Sequence, residues 1–341
     1  MLRIEKLTTR TRGEEVPGSS DAIQTRRRQI SRTWISRMRA GGLIELRRGG
    51  PRRLFLVHDG EGETLLYLNL ARRMPDDIAV FAIEPRRIAR VPLAHTTIGD
   101  MAAFYIEEIR KKQAHGPYLL GGLCAGGVIA YEMASQLAGA GESVELVALL
   151  EAALPNAQER PGRLAEQRLA RLRLAIRQPG KSDRRRLYRA GAAAAAITQK
   201  LLHALFWNIS EYTKQAWAHL RFHLLRQVLK RELAWPRMVP ELSVRQIYDC
   251  AQARYQPKPL AIGSILLARA QAGEGDDAPY REIYADGTFG WNSVAHPIKV
   301  VDVEGGHASM LEERFVDSLA KALLPYLQEP AVPIRRPLEG A

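Results

Sequence analysis

A cysteine with the surroundings of a nucleophile stands in the glycine-rich run GGLCAGG, residues 121–127. A short strand pattern over residues 117–120 precedes Cys124, and a helical pattern follows from about Gly126. The spacing Gly122-x-Cys124-x-Gly126 is that of a nucleophile elbow, where small neighbours let the strand and the helix pack closely. The start of a helix also favours a thiolate. We therefore predict Cys124 to be the nucleophile; the alternative is a buried structural cysteine beside a tight turn.

A histidine that could serve as the base follows the last predicted strand, residues 298–303. It is His307, in the run Glu304-Gly305-Gly306-His307. In a parallel sheet the carboxyl ends of the strands lie at one edge, so His307 is expected on the same side of the sheet as Cys124. The alternative is a loop histidine with a local hydrogen bond.

Carboxylates that could orient the histidine follow two other predicted strands. Glu151 comes directly after the strand over residues 144–150, and Asp276 and Asp277 follow the strand over residues 262–267. Glu151 is the favoured acid because side chains at strand ends point toward the site, while Asp276 and Asp277 remain alternatives. A Cys–His pair depends less on its acid than a Ser–His pair does, because a thiol ionises more readily.

Two backbone N–H groups are predicted to bind an oxyanion. One belongs to Ala125, the residue after the nucleophile. The other belongs to Gly60, in the loop His58-Asp59-Gly60-Glu61-Gly62 after the first predicted strand. An ordinary glycine turn is the alternative for this loop.

Strand and helix patterns alternate over much of the chain and predict an α/β fold with a mostly parallel sheet covered on both faces. Residues 156–235 interrupt this alternation with helical periodicity and no strand signal. Strands are expected over residues 53–58, 79–83, 117–120, 144–150, 262–267 and 298–303, and helices over 65–73, 97–113, 126–138 and 315–327.

Charge is concentrated outside this alternating region. The net charge is +13, and residues 1–53 carry 14 Lys and Arg against 5 Asp and Glu. Residues 156–235 carry 17 against 5. No nucleic-acid motif accompanies the charge, so an acidic protein or a phosphate-bearing substrate is the expected partner rather than nucleic acid.

The two cysteines, Cys124 and Cys250, are far apart and give neither a disulfide framework nor zinc-site spacing. No signal-peptide pattern is present, and no apolar run reaches the roughly 18 residues of a membrane-spanning helix. We therefore expect a cytoplasmic protein with no metal or cofactor and with little contact with membranes.

Four segments together resemble the type I thioesterase domains of nonribosomal peptide and polyketide synthases. They are LFLVHDGEG, GGLCAGGVIAYEMASQLAGAG, VELVALLEAALP and FGWNSVAHPIKVVDVEGGHASML. The resemblance covers about residues 53–155 and 245–328. It implies an α/β-hydrolase fold with a helical lid, Glu151 as the acid and His307 as the base. It also implies that the acyl chain arrives on the phosphopantetheine arm of a carrier protein.

The chain departs from that family at three positions. Cys124 replaces the usual serine, Glu151 replaces the usual aspartate, and Gly306 replaces the aspartate of Gly-Asp-His. Acylation of a cysteine exchanges one thioester for another, so the intermediate remains activated. This favours ring closure or transfer to a hydroxyl or amine over simple hydrolysis.

The predicted domain organisation has three parts. Residues 1–50 form a basic N-terminal extension with one helix over about 22–40, and residues 51–330 form the thioesterase domain with its lid over about 156–243. Residues 331–341 form a C-terminal tail. A carrier protein is expected to dock on the basic lid or on the N-terminal segment, and the sequence fits a stand-alone enzyme or one domain of a larger one.

Two other functions are compatible with parts of this pattern. A dienelactone-hydrolase-like cysteine hydrolase that acts on small esters would share the G-x-C-x-G elbow, but would lack a long lid and place its acid after the later strand. A non-catalytic basic binding protein could keep the fold and bind polyanions in a salt-sensitive manner.

Overall fold

The computed structural model describes residues 42–160 and 213–328. The predicted N-terminal helix, the greater part of the insertion and the C-terminal tail lie outside the described residues. Within them the chain forms a seven-stranded sheet. The strands are β1 (Leu43–Arg47), β2 (Arg52–Val57), β3 (Ile78–Ile83), β4 (Tyr118–Leu123), β5 (Val144–Leu150), β6 (Ser264–Ala270) and β7 (Ile298–Val303).

The strand order is β1-β3-β2-β4-β5-β6-β7, and every pairing from β3 to β7 is parallel. Strand β1 pairs antiparallel with β3 at the edge of the sheet. The sequence predicts residues 43–47 to be part of the N-terminal extension and does not predict this strand. Its residues are only partly buried, so it lacks the continuous apolar run that identifies the central strands.

Helices cover both faces of the sheet, as predicted. They are α1 (Leu68–Arg73), α2 (Ile98–Arg110), α3 (Ala125–Gly139), α4 (residues 213–230), α5 (Val244–Gln252) and α6 (Val316–Gln328). Alternate residues of β2 face opposite sides: Phe55 and Val57 join the core beneath α2, α3 and α5, whereas Leu54 and Leu56 join the core beneath α1 and α6. This architecture is the predicted α/β-hydrolase fold.

The described part of the insertion packs on the body of the domain through some of its aromatic side chains. Phe222 of α4 is 2% exposed and Trp235 is 6% exposed, whereas Trp217 is 49% exposed. Phe222 and Trp235 therefore belong to the core. Among the described residues, no helix combines the length and the apolar character needed to cross a lipid bilayer.

Candidate active site

Cys124 occupies the turn between β4 and α3 in a strained backbone conformation, with φ 52° and ψ −114°. A Cβ atom on Gly122 would lie 2.5 Å from the carbonyl carbon of Gly126, and one on Gly126 would lie 2.5 Å from the carbonyl oxygen of Val57. These contacts leave room only for glycine. The tight turn lifts Cys124 to the carboxyl-terminal edge of the sheet at the start of α3, as the nucleophile-elbow spacing predicts.

Tyr67 links the end of β2 to the elbow. Its hydroxyl donates to the carbonyl oxygen of Val57 at 2.7 Å and accepts from the N–H of Leu123 at 2.8 Å. The two strand ends that carry the expected oxyanion donors are thereby held together. Tyr67 is fully buried, and burial raises its pKa far above the usual range, so the phenol stays protonated.

The loop that contains Gly60 is shaped by Asp59. Oδ1 of Asp59 accepts from the N–H groups of Glu61 and Glu63, at 2.9 Å each. Within the described ranges no group accepts from the N–H of Gly60. The other predicted oxyanion donor, the N–H of Ala125, lies at the start of α3, directly after Cys124.

The Cys124 sulfur contacts a tyrosine that the sequence analysis did not identify. Sγ lies 3.2 Å from the hydroxyl of Tyr280, in the loop after β6. Burial raises the pKa of the Cys124 thiol, while the hydrogen bond to Tyr280 and the charge of Arg245 act in the opposite direction. The net result is a protonated thiol near neutral pH, which needs a base to become a nucleophile.

Arg245, in the first turn of α5, is the second residue that the sequence analysis missed. Its guanidinium packs against Gly60, with Cζ 2.8 Å from the place a Cβ would occupy, and its Nε lies 3.0 Å from Oε1 of Glu61. A capping box of Ser243 and Gln246 starts this helix. That motif is visible in the sequence, but it predicts a helix start and not its approach to the oxyanion loop.

His307 lies in the loop after β7, with its ring against that of Tyr280. The ring centroids are 4.5 Å apart and the planes are inclined by 34°. Burial and the charge of Arg245 lower the pKa of His307, and the charges of Asp277 and Asp59 partly offset them. A neutral imidazole suits a general base. In this conformation, however, the hydrogen-bond partner of the thiol is Tyr280 and not His307.

Glu151 is fully buried at the end of β5 and has a positive φ of 43°. Its carboxylate accepts from the N–H of Ala270 at 2.8 Å and from the N–H of Tyr280. Burial raises its pKa from 4.5 to about 7. The acid favoured by the sequence analysis thus contacts the Tyr280 segment, and among the described residues Nδ1 of His307 has no hydrogen-bond partner.

The two alternative acids differ sharply in their surroundings. Asp276 is exposed. The Asp277 carboxylate accepts from the N–H groups of Ala308 and Ser309 at 2.7 and 3.0 Å and from the Ser309 hydroxyl at 2.6 Å. Asp277 therefore binds the chain immediately after His307, though not its imidazole ring.

His58, at the end of β2, is a buried neutral histidine. Its Nδ1 donates to the carbonyl oxygen of Asp59 at 2.7 Å, and Nε2 accepts from the hydroxyl of Tyr105 at 2.7 Å. Burial lowers its pKa to about 4. Both ring nitrogens of His58 are thus held at the start of the loop that contains Gly60.

Across residues 42–160 and 213–328, no three His, Cys, Asp or Glu side chains are grouped as ligands for a metal ion. The site instead contains a thiol, an imidazole, the buried carboxyl of Glu151 and a guanidinium, beside the loop of Gly60. This combination suits transfer of an acyl group through a covalent intermediate. The fold and the site define the class of α/β-hydrolase enzymes.

The thioesterase domain family matches this chain over residues 52–325. The chain therefore belongs to the thioesterase domain family, and it is a hydrolase that acts on thioesters. This membership argues against the non-catalytic binding protein considered above.

Solved structures agree with the fold. The thioesterase domain of NocB, in covalent complex with a fluorophosphonate nocardicin G analog, aligns with a TM-score of 0.50 and 23% identity over 82% of this chain and 96% of that chain. The four-domain nonribosomal peptide synthetase AB3403 aligns with a TM-score of 0.51 and 22% identity over 84% of this chain and 20% of that chain.

Curated relatives match a shorter stretch. The non-reducing polyketide synthase terA of Aspergillus terreus is 42% identical over 113 residues, which is 33% of this chain and 5% of that protein. The atromentin synthetase invA2 of Paxillus involutus is 34% identical over 102 residues, or 30% of this chain and 11% of that protein. The chain thus spans only a small part of the length of these large relatives.

Proposed function

We propose that this thioesterase accepts an acyl, peptidyl or polyketide chain from the phosphopantetheine thioester of a carrier protein onto Cys124. The observation that carries the proposal is the placement of Cys124 at positive φ, between a strand and a helix, with Gly122 and Gly126 packed too closely for any side chain. The similarity to a polyketide synthase and to a nonribosomal peptide synthetase supports the choice of substrate.

In the first step His307 accepts the thiol proton of Cys124 as the sulfur attacks the thioester carbonyl carbon. The carbonyl oxygen becomes an oxyanion, which the N–H groups of Ala125 and Gly60 stabilise. The bond from carbon to the pantetheine sulfur then breaks, and His307 returns the proton to the departing thiolate. The products are an acyl thioester on Cys124 and a free pantetheine thiol.

In the second step an acceptor attacks the acyl carbon and gives its proton to His307. The bond from carbon to Sγ breaks, and His307 reprotonates the Cys124 thiolate. Water as the acceptor gives the free acid, whereas a hydroxyl or amine gives an ester, lactone, amide or lactam. We favour transfer or ring closure, because the enzyme-bound thioester keeps the activation of the original one.

Tyr280 adds a role that the sequence did not predict. Its hydroxyl contacts Sγ, its ring contacts His307, and its N–H is held by Glu151. We assign to its phenol the donation of a hydrogen bond to the sulfur as negative charge develops there. Glu151 acts by holding Tyr280 in place, and Tyr280 in turn contacts both Cys124 and His307.

The test is intact-mass measurement after incubation with a panel of acyl-pantetheine thioesters, beside Cys124→Ala and the matched control Cys250→Ala. We expect an acyl mass shift in the wild type and in Cys250→Ala, and none in Cys124→Ala. Release of only the free acid from a chain that carries an internal hydroxyl or amine would contradict the preference for cyclisation. Absence of an adduct and of released thiol, with carrier-bound substrate as well, would overturn the proposal.

One observation favours a second candidate, a cysteine hydrolase of small esters. Asp277, after β6, adjoins the His307 loop, and its charge raises the pKa of His307. This is the strand position at which the dienelactone-hydrolase type carries its acid. Higher kcat/KM for small aryl esters and lactones than for acyl-pantetheine thioesters would favour this candidate.

A further inference from the structure

We propose that Asp277 is the residue that positions His307, and that it does so by clamping the backbone on both sides of the histidine rather than by bonding to its imidazole ring. This inference rests on the proposed function, because it concerns the base of that reaction. It gives Asp277 a role distinct from that of a triad acid.

The clamp consists of four hydrogen bonds from one short segment. The carbonyl oxygen of Asp277 accepts from the N–H of His307 at 2.9 Å. Oδ1 accepts from the N–H groups of Ala308 and Ser309 at 2.7 and 3.0 Å, and Oδ2 accepts from the Ser309 hydroxyl at 2.6 Å. Three successive backbone N–H groups, starting with that of the base, are therefore fixed by one residue.

Ser309 extends the clamp to the residue before the histidine. Its hydroxyl oxygen accepts from the N–H of Gly306 at 2.8 Å while its proton is donated to Asp277. Gly306 and Ser309 are buried, so the bond between them is shielded from water, whereas the bond from Ser309 to Asp277 is partly buried. His307 thus lies in the stretch of residues 306–309. The N–H groups of residues 307–309 donate to Asp277 directly, and that of Gly306 donates to Ser309, which donates to Asp277.

Gly306 is glycine because Asp277 fills the space beside it. A Cβ at residue 306 would lie 2.1 Å from Oδ2 and 2.4 Å from the carbonyl oxygen of Asp277. Gly306 does not adopt a left-handed φ, so lack of space rather than backbone strain excludes a side chain. The third departure from the family pattern, glycine before the histidine, is explained by this close approach.

The ionised state of Asp277 fits the role. Burial opposes its ionisation, but the hydrogen bonds from Ser309 and Ala308 outweigh burial and lower the pKa of Asp277. The ring of Tyr280 packs against His307. The charges that shift the pKa of His307 are those of Arg245, Asp277 and Asp59. A carboxylate that accepts three hydrogen bonds is both a rigid support and a fixed negative charge near the base.

The experiment compares the pH dependence of kcat and KM for hydrolysis of octanoyl-pantetheine by the wild type, Asp277→Asn and Ser309→Ala. Asp276→Asn, which removes an exposed carboxylate one residue away, is the matched control, and His307→Ala measures the contribution of the base. Thermal unfolding is recorded for every variant.

We expect Asp277→Asn to lower kcat by about 10- to 100-fold with little change in KM, since misplacement of a reacting group acts on the chemical step. The acidic limb of its pH profile should move to lower pH, because the base must be unprotonated and the removed charge raises the pKa of His307. Ser309→Ala should lower kcat without that movement, and Asp276→Asn should behave like the wild type.

Equal kcat and an unshifted profile in Asp277→Asn would overturn the inference, as would an equal effect in Asp276→Asn. If Asp277→Asn does not fold, Ser309→Ala decides: wild-type kcat there refutes the clamp. Wild-type activity in His307→Ala would instead refute the proposed base, whatever the Asp277 variants show.

Discussion

Replacement of Glu151 by glutamine should make the free energy of unfolding less dependent on pH. The carboxyl is 0% exposed, and burial raises its pKa from 4.5 to about 7. Between these values the folded chain keeps a proton that the unfolded chain has lost. The folded state therefore binds more protons, and the stability of the wild type falls as pH rises through this window.

The magnitude follows from the two pKa values. With one group moving from 4.5 to about 7, the wild type should lose about 2.5 kcal/mol of stability between about pH 5 and about pH 8 from this residue alone. Glu151→Gln should not show this loss of stability, because glutamine does not titrate. Glu151→Gln should also lower the free energy of unfolding by about 1–3 kcal/mol at every pH. The reason is that the N–H of Ala270 or of Tyr280 then faces an amide NH₂, which cannot accept its hydrogen bond.

Urea unfolding of the full chain at several pH values gives the test. The stability of Glu151→Gln minus that of the wild type should rise by about 2.5 kcal/mol from about pH 5 to about pH 8. Asp276→Asn is the control for loss of an exposed carboxylate. A difference that stays constant with pH, or that falls, would show that Glu151 is ionised at low pH in the folded chain and would refute the reasoning.

Three further predictions concern the elbow and the thiol. Gly126→Ala should destabilise the protein by about 1–3 kcal/mol or more by overpacking, whereas Gly139→Ala, at the open end of the same helix, should be neutral or stabilise it in thermal unfolding. Tyr280→Phe should slow alkylation of Cys124 by iodoacetamide about fivefold at about pH 8, since about 1 kcal/mol of hydrogen bonding to the sulfur is lost. Arg245→Gln should move the alkylation profile to higher pH, because the charge of Arg245 lowers the pKa of Cys124.

Each of these has an outcome that would count against it. Equal melting temperatures for Gly126→Ala and Gly139→Ala would contradict the tight packing of the elbow. Tyr284→Phe, which keeps the hydroxyl of Tyr280, should alkylate at nearly the wild-type rate, and an equal slowing there would remove the special role of Tyr280. An alkylation profile unchanged in Arg245→Gln would mean that solvent screens the guanidinium.

The sequence alone identified the sheet and the residues at its carboxyl edge. Buried central strands are continuous apolar runs, and the glycine spacing around Cys124 is a local requirement of the elbow, so both leave a mark in a few adjacent residues. The sequence did not predict strand β1, because an edge strand has only one hydrogen-bonded neighbour and needs no continuous apolar run.

The neighbours of Cys124 and His307 became visible only in the tertiary structure. Tyr280 and Arg245 reach the site from 156 and 121 positions along the chain beyond the nucleophile, at places that no local pattern marks. The sequence also did not predict the hydrogen-bond partners of the two carboxylates. Glu151 accepts from the N–H of Tyr280, and Asp277 accepts from the N–H of Ala308 in the loop of His307. Short-range spacing records what the backbone demands of neighbouring residues, whereas contacts between distant loops depend on how the sheet and its helices bring those loops together.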